Sequence, residues 1–265
     1  LKHGAKRVIP YGIIAATPHS VIGEIVEQLK WKTQTILLAS ACASGTDAIG
    51  SAFQKIRDGD VIFSISGAAD AAITPLIMAG LSSAGLTPEF NEAPETASRP
   101  FDMLRCGGIV SEGCGIVVLE EFNHAVSRGA KIYGEIIGYG TSGELSEESP
   151  SSGLRNAIRR AFEDSGISFN SVDAISAHAP SDPLIDKVVT SIIKEIFGSR
   201  AYEIPISSIK LMVGNPLGCA GAFQTIAAML WFEKNIITPT INYQYPDPDC
   251  DLYYVPNKTH KLVVD

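Results

Sequence analysis

The segment Thr35–Ile56 limits the fold more than any other stretch of the chain. A short apolar run, Thr35–Leu38, breaks into the small residues Ala39-Ser40-Ala41-Cys42-Ala43-Ser44-Gly45, and these lead into a pattern with Ala48, Ile49, Ala52, Phe53 and Ile56 on one face. The run suits a buried strand, and apolar residues three and four apart suit a helix packed on a core. The expected unit is a strand, a tight turn and a helix, which belongs in a layered α/β arrangement. Cys42 then falls at the turn, at or near the helix N-terminus. Free N–H groups and the positive end of the helix dipole stabilise a thiolate there, and small neighbours leave room for a substrate. An inert cysteine packed into a crowded turn fits the same residues. A similar shape returns at Ile206–Gly221: a strand, a Gly-punctuated turn and an apolar helix, with Lys210 and Asn215 as its polar groups. Read locally, Asn215 suits a turn and Lys210 a surface charge.

Between and after these units the pattern keeps alternating. Strands are expected at Val61–Ser66, Ile109–Val110, Ile116–Glu120, Lys131–Tyr139, Val172–Ala177 and Ile204–Ser207. Helices are expected at Pro75–Ala84, Asn156–Asp164, Asp186–Phe197 and Ala220–Phe232. Glu89–Arg99 reads as a surface loop and Glu144–Ser152 as the most linker-like stretch. Alternation of this kind predicts α/β layering with a largely parallel sheet, in two strand–helix series divided near 145–155.

The formal net charge of -8 argues against a general nucleic-acid binder, which needs a basic surface to neutralise phosphates. No apolar run is long enough to span a bilayer, and the basic start Leu1–Arg7 is followed by no apolar signal region, so no signal peptide is read. The 5 cysteines, Cys42, Cys106, Cys114, Cys219 and Cys250, are odd in number and widely spaced. They read as free thiols of a reducing cytoplasm rather than as a disulfide framework or a zinc site. Among the 5 histidines, His178 stands out because it follows a predicted buried strand and opens the turn Ala179-Pro180-Ser181-Asp182. The C-terminal ends of strands are where α/β folds gather reactive groups. A hydrogen-bonded structural histidine is the alternative.

Taken together, several segments resemble the β-ketoacyl-acyl-carrier-protein synthases, the type II elongating branch of the thiolase fold. The resemblance rests on Ala41-Cys42-Ala43-Ser44-Gly45-Thr46-Asp47-Ala48-Ile49-Gly50, on Gly67–Pro75, and on Ala97-Ser98-Arg99-Pro100-Phe101-Asp102. It continues through Glu112-Gly113-Cys114-Gly115, Arg128–Tyr133, Pro239-Thr240-Ile241-Asn242 and Pro246–Leu252, and covers nearly the whole chain. It implies a thiolase-like layered α/β/α/β/α fold, incomplete at the N-terminus and lacking the last strand. Residues 1–145 would be the C-terminal part of the first half, carrying the nucleophile, and 146–265 the second half, carrying His178, Lys210 and Asn215.

The resemblance also implies a chemistry. Cys42 would take an acyl group from a carrier-protein thioester, and His178 and Asn215 would bind the malonyl thioester carbonyl and promote decarboxylation. Lys210 would hold the electrostatics of the site with Asp186 as its partner. Glu112 and Gln224 would give structural support. Ser181, Asp182 and Gly108 would face the substrate. The substrates would ride on the phosphopantetheine arm of an acyl carrier protein, with no other cofactor and no metal. A homodimer, or a heterodimer with another ketosynthase-like chain, in the cytoplasm is the expected assembly. Several positions depart from the family pattern. Asn215 stands where this branch has a second histidine. Ala179-Pro180-Ser181-Asp182 replaces Gly-Thr-Ser-Thr. Val189 and Gln224 replace glutamates, and Gly108 replaces a bulky aromatic. These departures and the missing ends raise the alternative of a non-catalytic or decayed ketosynthase-like subunit that partners an active one. A papain-type hydrolase shares the order Cys, His, Asn but not the residues around its cysteine, and no HExxH marks a metal enzyme.

Overall fold

The structure is a computed structural model that describes residues 9–15, 17–89, 91–144 and 152–262. The chain forms two units, 1–39 and 40–265.

In the first unit, helices α1 (Tyr11–Ala15) and α2 (His19–Leu29) precede an extended stretch. Helix α2 ends where Lys30 turns left-handed at φ 53°. The expected strand at Thr35–Leu38 is not found: it makes no ladder among the described residues, and Ile36, Leu37 and Leu38 are exposed. Extended backbone becomes a strand only by exchanging N–H and C=O bonds with a neighbour.

The second unit opens with a 3₁₀ turn, Ala41–Ala43, and helix α3 (Ser44–Arg57). Asp47 in its first turn and Lys55 and Arg57 in its last complement the helix dipole. Strand β1 (Phe63–Asp70) pairs antiparallel with β2 (Gly113–Glu120), from Phe63 opposite Glu120 to Asp70 opposite Gly113. Between them lies α4 (Pro75–Ser83), with proline in its first turn and the Thr74 hydroxyl accepting from the Ile77 N–H. Helix α5 (Phe122–Ser127) follows β2, capped by the Glu121 carboxylate. Helix α6 (Ser152–Ser165) leads to β3 (Ile175–Ser176), which pairs in parallel with β4 (Ile206–Ser207) across helix α7 (Ile185–Phe197). The short helix α8 (Lys210–Val213), helix α9 (Ala220–Lys234) and the antiparallel pair β5 (Ile236–Ile237) and β6 (His260–Lys261) complete the unit.

The alternation of strands and helices agrees with expectation, but the largely parallel sheet does not. Of the three ladders among the described residues, only β3–β4 is parallel. The chain leaves β1 at Asp70 and enters β2 opposite it at Gly113, so that pair must run antiparallel. Two expected strands are extended without a ladder. Lys131–Tyr139 is held instead by side chains: Lys131 on Glu233, and the Tyr139 N–H on Asp164. Ile109–Val110 makes only an isolated bridge from Val110 to Asn215. The expected surface loop 89–99 ends in buried Ala97 and Ser98, and most of the expected linker, 145–151, lies outside the described residues.

The main core surrounds Phe101, which stacks on Tyr254 with ring centroids 3.8 Å apart, among Ala177, Ala179, Val189, Ile193 and Ile206. Burying one such ring is worth roughly 1.5–3 kcal/mol. The helices α3 and α9 cross at their first turns, where only small residues fit. A Cβ on Gly45 would stand 2.8 Å from the Ala222 nitrogen, and one on Gly221 2.5 Å from the Thr46 nitrogen. The two turns that launch these helices are alike. Each starts with a left-handed non-glycine residue, Ala41 at φ 51° and Leu217 at φ 44°, and runs through a 3₁₀ turn. That crossing brings the Cys42 turn against the end of the segment carrying Lys210 and Asn215.

Candidate active site

The ends of β3 and β4 assemble the polar centre. The Ala177 N–H donates to Ser207 O at 2.9 Å, and the Ser208 hydroxyl donates to Ala179 O at 2.8 Å. The chain segments on either side of these bonds then present His178 and Lys210 to each other. Asn215 arrives after Gly214, whose φ of 75° turns the chain sharply. The Asn215 N–H donates to Ile109 O at 2.7 Å, and its carbonyl accepts from the Ser111 N–H at 3.1 Å. That is why Ile109–Val110 is extended.

Lys210 is 2% exposed, so the local reading of it as a surface charge is overturned. Its Nζ stands 2.8 Å from Asn215 Oδ1 and 3.0 Å from His178 Nδ1. A protonated amine has only donors. His178 Nδ1 must therefore accept, which puts the imidazole proton on Nε2. The Asn215 oxygen is likewise taken, which leaves its NH₂ to donate outward. Burial, and then the Lys210 charge, push the His178 pKa down to about 3, so the ring is neutral. Burial lowers Lys210 to about 8, opposed by its electrostatic interaction with Cys42 and Asp186. Cys42 is half-buried in the turn before α3, within electrostatic reach of Lys210. Gly218 packs against that turn: a Cβ there would be 3.6 Å from Ala41 O. Gly108 sits over the asparagine: a Cβ there would lie 3.8 Å from Asn215 Nδ2 but only 2.9 Å from Pro180 O.

The structure thus brings Cys42, His178, Lys210, Asn215 and the Gly108 backbone together, and turns the other candidates elsewhere. Asp186 is not bonded to Lys210. Its Oδ2 accepts from the Phe101 N–H at 2.9 Å and faces Arg105 at 3.9 Å, so it reaches Lys210 only through the field. Burial raises its pKa to about 7, against the pull of the Phe101 N–H and Arg105. Ser181 is fully buried in a left-handed turn at φ 74°, and its hydroxyl accepts from the Arg99 N–H at 3.0 Å, which closes it to a ligand. Asp182 Oδ1 accepts from the Leu184 and Ile185 N–H groups at 2.8 and 2.9 Å, which ties this side chain to the start of α7. Glu112 accepts from the Ile73 N–H at 2.8 Å, and Gln224 donates to Ser176 O at 3.0 Å; both are scaffold contacts.

Sequence reasoning missed Arg105. It is buried and bonds Asp247 Oδ2 and Asp102 O, each at 2.7 Å, tying the segment after Pro246 to the one that carries Asp102. Its signal was a lone arginine in an otherwise small and apolar stretch. Among the described residues no cluster of His, Cys, Asp or Glu is placed to hold a metal ion, and no helix is long and apolar enough to cross a membrane.

A cysteine on a helix-launching turn and a lysine that bridges a histidine and an asparagine at the ends of paired strands fit a thiolase-like fold. The comparisons agree. The Beta-ketoacyl synthase N-terminal domain matches residues 2–125 and the Beta-ketoacyl synthase C-terminal domain residues 133–244. The chain belongs to the beta-ketoacyl synthase family. It is 39% identical to a 3-oxoacyl-[acyl-carrier-protein] synthase 2 of Synechocystis sp. over 100% of this chain and 65% of that protein. It is 37% identical to the synthase of the same name from Staphylococcus aureus over 98% of this chain and 65% of that one. Among solved structures it is similar to a type II polyketide ketosynthase in complex with its acyl-carrier protein and bound to the hexaketide. That match has a TM-score of 0.94 and 33% identity over 98% of this chain and 65% of the other. The chain spans 65% of the length of the first curated relatives it matches.

Proposed function

We propose that this chain carries the condensing site of a β-ketoacyl-acyl-carrier-protein synthase, which joins an acyl group to a malonyl unit with loss of CO₂. The observation that supports this best is the Lys210 bridge, with Nζ 2.8 Å from Asn215 Oδ1 and 3.0 Å from His178 Nδ1. One cation satisfies the acceptor end of both side chains and leaves a His178 Nε2–H and an Asn215 N–H as a pair of donors. Donors preset in this way stabilise a developing oxyanion without reorganising.

Cys42 acts first, as a thiolate on an acyl thioester. The carbonyl–sulfur bond to the pantetheine arm breaks, and the departing sulfur takes up the proton Cys42 gave up. The malonyl thioester then binds with its carbonyl oxygen at the His178 and Asn215 donors. The bond to its carboxylate breaks, CO₂ leaves, and the electron pair moves into an enolate held by those donors. The enolate carbon attacks the acyl-cysteine carbonyl, a carbon–carbon bond forms, the carbon–sulfur bond breaks and Cys42 returns as thiolate. No cofactor beyond the carrier's arm enters this scheme. Asn215 in place of a second histidine is compatible with it, because an amide supplies the same donor.

The carrier protein as partner rests on the similar ketosynthase solved with its acyl-carrier protein. Pairing with a second ketosynthase-like chain is supported by exposed apolar side chains on the β1–β2 pair, Phe63, Ile65, Ile116 and Val118. The cytoplasm as the place of the reaction, and two halves divided at 145–146, complete the reading. The test is the intact mass of the protein after incubation with a medium-chain acyl-carrier-protein thioester. A gain of one acyl group, lost in Cys42→Ala, is expected. Folded protein with no gain would replace this reading with that of a non-catalytic partner subunit.

A further inference from the structure

The Cys42 turn holds a left-handed alanine, Ala41 at φ 51°, which a residue with a side chain adopts only when its surroundings impose it. The restraint is visible. Asp47, in the first turn of α3, reaches back across the turn with Oδ2 to the Ser40 hydroxyl, while the Ser40 N–H donates to Ser44 Oγ at 2.9 Å. The other oxygen, Oδ1, accepts from the Tyr139 hydroxyl at 2.6 Å. Asp47 is therefore held from both sides, and the residues it spans include Cys42.

Tyr139 is itself fixed by a different part of the chain. Its ring lies on Gly50, where a Cβ would stand 2.2 Å from the ring. Its N–H donates to Asp164 Oδ2 at 3.0 Å, on α6, and Asp164 Oδ1 accepts from Arg57 Nη1 at 2.6 Å. Arg57 ends α3, the helix that Asp47 begins. The extended segment around Tyr139 thus grips α3 at both ends, once through a phenol–carboxylate bond and once through a carboxylate shared with an arginine. Burial, and then Asp47, raise the Tyr139 pKa to about 12, so the phenol remains a donor throughout the working range.

We propose that Tyr139 and Asp47 are positioning residues for the Cys42 sulfur, forming a latch that sets the turn from the α6 side of the unit. The proposal rests on the reading of Cys42 as the nucleophile. Tyr139→Phe keeps the ring on Gly50 and removes only the hydroxyl. Asp47→Asn and Ser40→Ala loosen the same latch at its other bonds. Displacing a reacting atom by a fraction of an ångström costs about tenfold or more in rate.

The experiment measures, for wild type, Tyr139→Phe and Ser40→Ala, the rate of Cys42 alkylation by iodoacetamide, followed on the Cys42 peptide. It also measures kcat and KM for acyl transfer from the carrier thioester, and the melting temperature. The latch predicts a several-fold change in Cys42 alkylation and a fall of about tenfold in kcat with KM unchanged, in variants that melt cooperatively. Wild-type alkylation rates and kcat in a variant with a lowered melting temperature would show a purely structural bond and overturn the proposal. If Tyr139→Phe does not fold, Ser40→Ala is read by the same criteria. If wild type takes no acyl group yet alkylation still depends on Tyr139, the latch stands and the synthase reading falls.

Discussion

Asp186 is buried completely, and one of its oxygens, Oδ1, has no hydrogen-bond partner. Arg105 lies 3.9 Å from the other oxygen, but its own donors go to Asp102 O, Asp182 O, Pro183 O and Asp247. The carboxyl therefore keeps its proton well above the usual carboxylate range, with a pKa raised from 3.8 to about 7. A displacement of that size corresponds to about 4 kcal/mol. The raised value fixes the sign. Between pH 3.8 and 7 the folded protein holds a proton that the unfolded chain has released. Stability is thus full below the lower value and falls as pH rises through the upper one. Asp186→Asn removes the titration and keeps an oxygen for the Phe101 N–H. It places an NH₂ where Oδ1 found no partner, at a cost of about 1–3 kcal/mol. Asp186→Asn should accordingly be about 1–3 kcal/mol less stable than wild type near pH 4. Near pH 8 it should be more stable by about the same amount, a swing of about 4 kcal/mol. Urea unfolding of both proteins in steps from about pH 4 to pH 8 measures it, and the difference between them cancels the other titrating groups. A difference constant within about 1 kcal/mol over that range would refute the reasoning, because it would mean that Asp186 is as solvated or paired in the fold as in the unfolded chain.

Three more outcomes are expected. Asn215→Ala should leave acylation of Cys42 intact while lowering the condensation kcat by about 10²–10³, as for removal of one oxyanion donor; equal loss in both half-reactions would separate Asn215 from the enolate. Nitrogen NMR of His178 should show a neutral ring protonated on Nε2 down to about pH 4, given burial and Lys210 pushing its pKa to about 3; titration near pH 6.5 would contradict the Lys210 bond. Gly108→Ala should lower stability by about 1–3 kcal/mol, read as a shift in urea midpoint, because its Cβ would stand 2.9 Å from Pro180 O; an unchanged midpoint would mean that the turn yields freely.

Much of the site could be read from residue order. The small-residue block around Cys42 announces a turn that launches a helix, since nothing else tolerates that density of small residues beside an apolar stripe. The helix there starts at Ser44, and Pro75–Ser83 and Ile185–Phe197 begin and end within a residue of expectation. Strands were less legible. Lys131–Tyr139 has an apolar, β-branched composition, yet it is fixed by Asp164 and Glu233 side chains rather than by a ladder. Pairing depends on what lies alongside, which composition does not encode.

The sequence by itself determined the local chemistry: a cysteine in a helix-launching turn, a histidine after a strand, and a second Gly-rich turn bearing Lys210 and Asn215. Only the tertiary structure decided which of these groups act on one another. Lys210 looked like a surface charge until β3 and β4 paired and enclosed it against His178 and Asn215. Asp186 looked like its partner until the fold gave that carboxylate to Phe101 and Arg105 instead. The physical reason is that hydrogen bonding and desolvation act over a few ångströms in space, between residues 32 and 85 positions apart along the chain, as His178 with Lys210 and Phe101 with Asp186 are.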